Sequence, residues 1–309
     1  MSAQAVEREI LEPTAAPPPA LAPVGSPLSA ELRDLLANRT ALLSLLVVLV
    51  VAAMALFAPS IAPHDPYESD LFRRLQPPVW LEGGEWTHPL GCDQLGRDIL
   101  SRIVYGARVS MTIGLLVVAI AAVIGTTLGI LAGYLRGFVD VLIGRIVDTL
   151  LGFPYLIFAI GLMAAMGPGL TNIVLALVLK EWVLTCRVAR AETLAAREMD
   201  YVEAARALGA SPLRIMLGEI LPNILSPVLV VATFRMATIV ILEASLSFLG
   251  LGVQPPVPSW GSMVADGRAF LLDAWWVATL PGVAIFVLVL AINLASQGLR
   301  DVFDPRLRA

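Results

Sequence analysis

Apolar residues along this chain gather in six long blocks, at 41–61, 109–135, 141–166, 170–188, 224–251 and 276–296, and the segments between them carry most of the charge. A helix needs about 20 such residues to cross the hydrocarbon of a bilayer. In lipid the backbone must satisfy its own hydrogen bonds, and a helix does so within one segment. The pattern therefore predicts an all-α membrane protein with six transmembrane helices. The fourth block is the weakest, because Lys180 and Glu181 interrupt it. Composition agrees, since 58% hydrophobic and 15% charged residues stand well away from the about 25% charged of an average soluble domain.

Arginine placement predicts orientation. Arg8, Arg33, Arg39, Arg136, Arg145, Arg187, Arg190, Arg197, Arg206, Arg214, Arg300, Arg306 and Arg308 fall on the side of the membrane that holds both chain ends, whereas Arg73, Arg74, Arg97, Arg102, Arg108 and Arg268 fall on the other. The excess places the N- and C-termini in the cytoplasm, although the first outer segment is long and weighs less in this rule. Residues up to about Ser29 are rich in Ala and Pro and read as a disordered or polyproline-like tail. The first block lies too far in, and is too long, for a cleaved signal peptide. The chain thus divides into a cytoplasmic tail and pre-membrane segment (1–40), a first span with its extracytoplasmic segment (41–108) and a main transmembrane domain (109–309).

Missing motifs narrow the chemistry. A phosphate-binding loop needs Gly-x-x-x-x-Gly-Lys-Ser/Thr, and the single lysine, Lys180, sits inside an apolar block. His64 and His88 are too far apart for a His-Glu-x-x-His zinc helix, so no metal site is expected. Cys92 and Cys186 lack metal-ligand spacing and are read as two unpaired thiols. No Gly-x-Ser-x-Gly nucleophile elbow is present. The chain is not expected to be an enzyme, and energy for any transport must come from elsewhere.

The most informative polar stretch runs from Asp200 to Pro222. Asp200 with Glu203 three residues on reads as a capping box. Gly209 is placed just past the helix end, where a left-handed conformation costs it little. Ser211-Pro212 reads as a second cap with proline at the first helical position, and Pro222 closes the loop before the next apolar run. Ala204, Ala205 and Ala207 keep the first helix slim, so that another surface can approach its backbone.

Glu203-Ala204-Ala205, three residues, Gly209 and a hydrophobic-Leu-Pro222 ending resemble the "EAA" loop of bacterial ABC importer permeases. Residues 88–108 (HPLGCDQLGRDILSRIVYGAR), 243–261 (EASLSFLGLGVQPPVPSWG) and 293–306 (NLASQGLRDVFDPR) resemble the dipeptide, oligopeptide and nickel branch, in particular its "C" permease. The resemblance spans nearly everything from the first block onward. Two positions depart from it: Cys92 stands where the family has threonine, and Glu219 where it has an apolar residue or histidine. The resemblance implies a type I ABC importer transmembrane domain in a bacterial inner membrane. It implies as partners a homologous second permease, two ATP-binding subunits that hold the ATP and Mg, and an extracytoplasmic substrate-binding protein; no nucleic acid and no cofactor on this chain are implied. The 200–222 loop would couple to an ATPase, with Asp200, Glu203, Ala204, Ala205, Gly209 and Pro222 as its marked residues.

Other residues invite two readings each. Gly125, Gly129, Gly133 and Gly137 recur on one helical face and suit close helix packing or a sliding surface. Arg145 and Asp148, one turn apart, read as a pair that neutralises itself. Lys180, Glu181, Arg235 and Glu243 lie deeper, and such charges are usually paired or functional. They serve either interhelical bridges and a wet translocation path, or direct substrate contact and proton coupling. Trp80, Trp86 and Trp260 mark a candidate docking surface for the binding protein. The rival to the importer is a self-sufficient ion-gradient-driven carrier, for which internal repeats with broken helices would be the sign; no convincing repeat is seen.

Overall fold

The structure, a computed structural model, describes residues 38–303; the tail up to residue 37 and the last six residues, with the expectations that fall on them, lie outside it. No strand forms among the described residues, which pair extended backbone only in an isolated bridge between Cys92 and Asp98. Helix α1 (Arg39–Leu56) starts at Asn38, whose side chain accepts the Ala41 N–H. A short α2 (Ala58–Ile61) follows, then an irregular stretch with one 3₁₀ turn, Leu71–Arg73. Helix α3 (Ile99–Leu135) has 37 residues and is thus about 55 Å long at 1.5 Å per residue. Asp98 caps it by accepting the Ser101 N–H at 2.7 Å.

Helices α4 (Gly137–Gly152) and α5 (Tyr155–Met166) meet at Phe153-Pro154 with a bend of 92°. Then come α6 (Leu170–Ala196), the short α7 (Asp200–Ala207), a turn at Pro212–Arg214, a π-helical stretch at Ile215–Ile220, and α8 (Leu221–Phe248). Helices α9 (Trp260–Gly267) and α10 (Trp276–Phe303) complete the described chain. Four helical runs are long and apolar enough to cross a membrane: α1, α3, Pro212–Phe248 and Trp276–Gly298. The bent pair α4/α5 makes a fifth when taken as one broken span. Helix α6 occupies the weak fourth block and is long enough, but its charges keep it out of the apolar set.

The most extensive helix contact is between α3 and α6. A Cβ on Gly125 would lie 2.6 Å from the Trp182 carbonyl, one on Gly129 2.6 Å from the Ala189 Cβ, and one on Gly133 2.8 Å from the Thr193 Cβ. Both residue numbers rise together, so the two helices run parallel, backbone against backbone. Gly137 is not part of this seam. Helix α3 ends at Leu135, and Gly137 stands in open space at φ +56° beside Arg136 at φ +57°. Nearer its start, α3 receives α8 antiparallel, with Ser110 against Glu243 and Gly114 against Met236 and Val240. At the start of α3 a core forms from Ile99, Ile103, Trp260, Trp276 and Val277; at its end another forms from Ile130, Ala189, Val202, Ile215 and Ile220.

Candidate functional site

The loop after α6 sits at the C-terminal end of α3. It is held there by Val202, the one buried residue of α7, which packs in the core with Ile130, Ala196 and Ile215. Arg197 donates to the Tyr134 carbonyl at 2.6 Å, and Arg136 pairs with Glu198 at 2.6 Å. Helix α7 stops in a Schellman turn. The Ala210 N–H reaches the Ala205 carbonyl at 3.1 Å, the Gly209 N–H reaches Arg206 at 3.0 Å, and Gly209 takes φ +81°. That end of the expectation is met. The start is not. Met199 occupies the cap position, no side chain caps the helix, and Asp200 is its first residue. Asp200 and Glu203 therefore lie in the first turn, where carboxylates favour the helix dipole. Ser211 caps the next turn, with Pro212 at its first position.

Pro222 does not close the loop either. The helix continues through it, and the π-helical stretch Ile215–Ile220 explains how. The Leu221 N–H bonds back to the Met216 carbonyl, five residues away, which absorbs the ladder position that a proline without an N–H cannot serve. Asn223 Nδ2 meanwhile donates to the Glu219 carbonyl at 2.6 Å. Glu219 is half-buried beneath α7, and burial together with its carboxylate pushes the Tyr201 phenol above its usual range.

Large apolar side chains of the loop are exposed among its exposed charges, Asp200, Glu203, Arg206 and Arg214. Met199, Leu208, Leu213 and Leu217 are all more than half exposed, Leu208 at 89%, alongside exposed Glu203, Ala204 and Ala207. Residues this apolar around a polar helix end mark a surface that another molecule covers.

The charges inside the helices find partners in one another, in the backbone and in serine hydroxyls. Glu181, its side chain 1% exposed, is bridged by the Arg235 guanidinium, with Nη2 donating to Oε2 at 2.8 Å. The Tyr155 hydroxyl lies 3.1 Å from the same oxygen and 2.9 Å from the Leu177 carbonyl, so α5, α6 and α8 meet here. Lys180 donates to the Phe153 carbonyl at the α4/α5 bend and lies over the Tyr155 and Phe158 rings. A broken span frees carbonyls, and this ammonium satisfies one of them at the negative end of α4. Glu243, fully buried, accepts from Ser110 at 3.0 Å and Ser247 at 2.8 Å. The Arg145–Asp148 pairing does not occur. Asp148 instead pairs across helices with Arg187 at 3.1 Å, and Asp140 with Arg190.

Removing one member of a buried pair costs about 3–5 kcal/mol. Arg235→Met should therefore lower the thermal midpoint of the detergent-solubilised protein sharply. The double variant Glu181→Gln, Arg235→Met should recover most of the loss. Equal midpoints for Arg235→Met and the parent would show that the pair is dispensable.

Residues 125–309 match the family described as binding-protein-dependent transport system inner membrane components. Residues 26–78 match the N-terminal transmembrane domain of oligopeptide transport permease C. The chain belongs to this permease family. It is 44% identical over 283 residues, 92% of this chain and 93% of the relative, to the di/tripeptide transport system permease protein DppC of Pseudomonas aeruginosa. It is 45% identical over 271 residues, 88% and 90%, to the dipeptide transport system permease protein DppC of Escherichia coli. A chain of the MetNI methionine ABC transporter, solved in inward-facing conformations, shares its fold at a TM-score of 0.50 and 20% identity, over 65% of this chain and 96% of that one. The protein is a non-catalytic membrane subunit of a transport system.

In this permease the expected docking tryptophans separate. Trp80 and Trp86 are exposed, at 53% and 81%. Trp260 is 1% exposed, donates its indole N–H to the Ile103 carbonyl at 2.9 Å and packs on Gly106, so it belongs to the core and not to an outer surface. Its position follows from α9, whose capping box of Ser259 and Ser262 directs the helix back onto α3. Cys92 and Cys186 are both free and buried. Cys92 Sγ lies 3.9 Å from Gln76 Oε1, a contact that a threonine hydroxyl could also make. Burial, with Asp98 and Asp93 nearby, pushes the Cys92 thiol up to about 12. Only about one thiol in ten thousand would then be ionised at pH 8, and the thiolate is the nucleophile. Cys92 is expected to resist iodoacetamide in the native protein and to react after denaturation, as mass spectrometry of the 92-containing peptide would read. Rapid native labelling would contradict its burial.

Proposed function

We propose that this permease is one of two homologous membrane subunits of an ATP-driven importer of di- or oligopeptides, with both termini in the cytoplasm and six spans formed by α1, α3, α4/α5, α6, α8 and α10. The binding-protein dependence of the family supports an extracytoplasmic substrate-binding protein as a partner, and the names of the relatives support peptides as cargo. ATP and Mg are held by two ATP-binding partner subunits, because this chain has no phosphate-binding loop. The observation that carries the reading is the exposed apolar rim of Met199, Leu208, Leu213 and Leu217 around α7, which offers an ATPase a docking face. Closure of the ATPase pair would pull on α7 and switch the permeases between inward- and outward-facing states as bodies. In this reading Asp200, Glu203, Ala204, Ala205 and Gly209 form the docking helix and its stop, and Pro222 with the π-helical stretch joins it to α8. The buried Lys180, Glu181 and Glu243, with the half-buried Arg235, hold the helices together, and Trp80 and Trp86 lie on the face met by the binding protein. The lipid bilayer surrounds the rest.

Purification of the chain from its native membrane in mild detergent, followed by mass spectrometry, tests this. Two ATPase subunits and a second permease should accompany it, and peptide uptake should survive collapse of the ion gradient. A chain recovered alone and active as an oligomer would overturn the reading in favour of an ion-gradient-driven carrier, for which the comparisons offer no support.

A further inference from the structure

The chain contains two histidines, His64 and His88, and the fold stacks them with ring centroids 4.4 Å apart over one buried carboxylate, Asp98. His88 Nδ1 lies 2.9 Å from Asp98 Oδ1, and His64 Nδ1 lies 3.8 Å from Oδ2. Oδ2 is occupied by the Ser101 N–H and hydroxyl, both at 2.7 Å, while the Ser101 Oγ accepts the His64 N–H at 3.0 Å. The three residues come from three places: the segment after α2, the loop at 88 and the cap of α3. This cluster stands at the opposite end of α3 from the 200–222 loop.

One atom in the cluster lacks a partner. His64 Nδ1 is out of contact with solvent and makes no hydrogen bond, a position that costs about 1–3 kcal/mol for a buried polar atom and calls for a ligand or a water. One ligand atom from each of His64, His88 and Asp98 lies within 4.8 Å of the other two. Around an ion bound at about 2.0–2.2 Å, tetrahedral ligands stand roughly 3.3–3.5 Å apart. The set is therefore open by about 1 Å, and His64, on an irregular segment and the most exposed of the three, is the residue able to close it. The Ser101 bonds to Oδ2 hold the carboxylate in place, the outer support that carboxylate ligands require, and a cation would replace the hydrogen bond between His88 and Oδ1.

We propose that His64, His88 and Asp98 form a site for a first-row divalent metal, with zinc(II) as the ion that suits two imidazoles, one carboxylate and a water in the fourth position. The site clamps the segment after α2 and the loop at 88 onto the start of α3, and so fixes the irregular stretch between α2 and α3. This departs from the expectation of no metal on this chain. That expectation rested on the 24-residue separation of the histidines in sequence, which excludes a helical zinc motif and says nothing about residues brought together by the fold.

The test uses the full chain, purified without a polyhistidine tag and stripped with a chelator. Equilibrium dialysis against zinc(II) with elemental analysis should give one bound ion per chain. Cobalt(II) in its place should give intense visible ligand-field bands. His64→Phe keeps the ring stack and the His88–Asp98 contact, and it should weaken zinc binding at least about tenfold. Zinc should raise the thermal midpoint of the parent and not that of His64→Phe. It should also protect both histidines of the parent from diethylpyrocarbonate. No zinc above background, or equal binding by the parent and a folded His64→Phe, overturns the site.

Discussion

A chain carrying Glu203→Arg and Gly209→Asp is expected to reach the membrane at the parent level and to support less than about one-hundredth of its peptide uptake. The two changes act on different links. Glu203 is exposed in the first turn of α7, so its reversal alters the charge offered to the ATPase while leaving the packing of Val202 alone. Opposed like charges at an interface cost several kcal/mol, and each 1.4 kcal/mol is tenfold in affinity. It also places a cation where the helix dipole prefers an anion, at a cost of about 0.3–1 kcal/mol. Gly209 stands at φ +81° with open space where a Cβ would be. Aspartate fits there sterically and strains the backbone by about 1 kcal/mol, while putting a second charge beside Leu208. Gly209→Asn alone, which tolerates the left-handed region, should transport nearly normally and separates conformation from charge. Uptake of a labelled dipeptide by cells, beside immunoblots of the membrane fraction, reads the result. Parent-level uptake by the double variant would end the docking role of α7, and loss of the chain from the membrane would assign the loop to folding instead.

What the sequence made legible followed from how local each signal is. The apolar blocks return as helices because backbone satisfaction in lipid is a property of one segment. Gly209 was readable because the left-handed turn at a helix end depends on a few adjacent residues. Asp200 was misplaced by one position, since the chain enters α7 from a turn at Ala196–Met199 that puts Met199 at the cap. Pro222 was read as a stop because the π-helical stretch that carries the chain through it has no signature of its own in Ile215–Ile220. The pairing of Asp148 with Arg187 rather than Arg145, and the burial of Trp260, depend on which helices pack together, which local spacing does not encode. The meeting of His64, His88 and Asp98 is of the same kind. The fourth block was flagged by Lys180 and Glu181, and the same two residues turn out to join α6 to the α4/α5 bend and to α8.

Gly129→Leu is expected to destabilise the folded permease by about 3 kcal/mol or more. Overpacking a closed interior typically costs about 1–3 kcal/mol when side chains can shift. Here the obstacle includes the Cys186 carbonyl, 2.7 Å from the new Cβ, as well as the Ala189 Cβ at 2.6 Å, and backbone has no alternative rotamer. Helix association in a bilayer draws on van der Waals packing, with no hydrophobic gain between helices to offset a lost fit, so the α3/α6 seam must open. Gly161→Leu is the matched control. Gly161 lies exposed within α5 with nothing near its Cβ and no unusual φ, so a leucine there meets no neighbour within the chain. Thermal unfolding in detergent, followed by tryptophan fluorescence, should show a marked fall for Gly129→Leu and little change for Gly161→Leu. Equal midpoints would mean that α3 and α6 are not locked. The expected fall instead requires the two helices to move as one body, because a parallel seam with backbone contact at three successive turns cannot slide past Ala189 and Thr193 without the same clash. Any rearrangement driven through α7 would then have to be taken up where α8 passes the π-helical stretch and where α4 bends into α5.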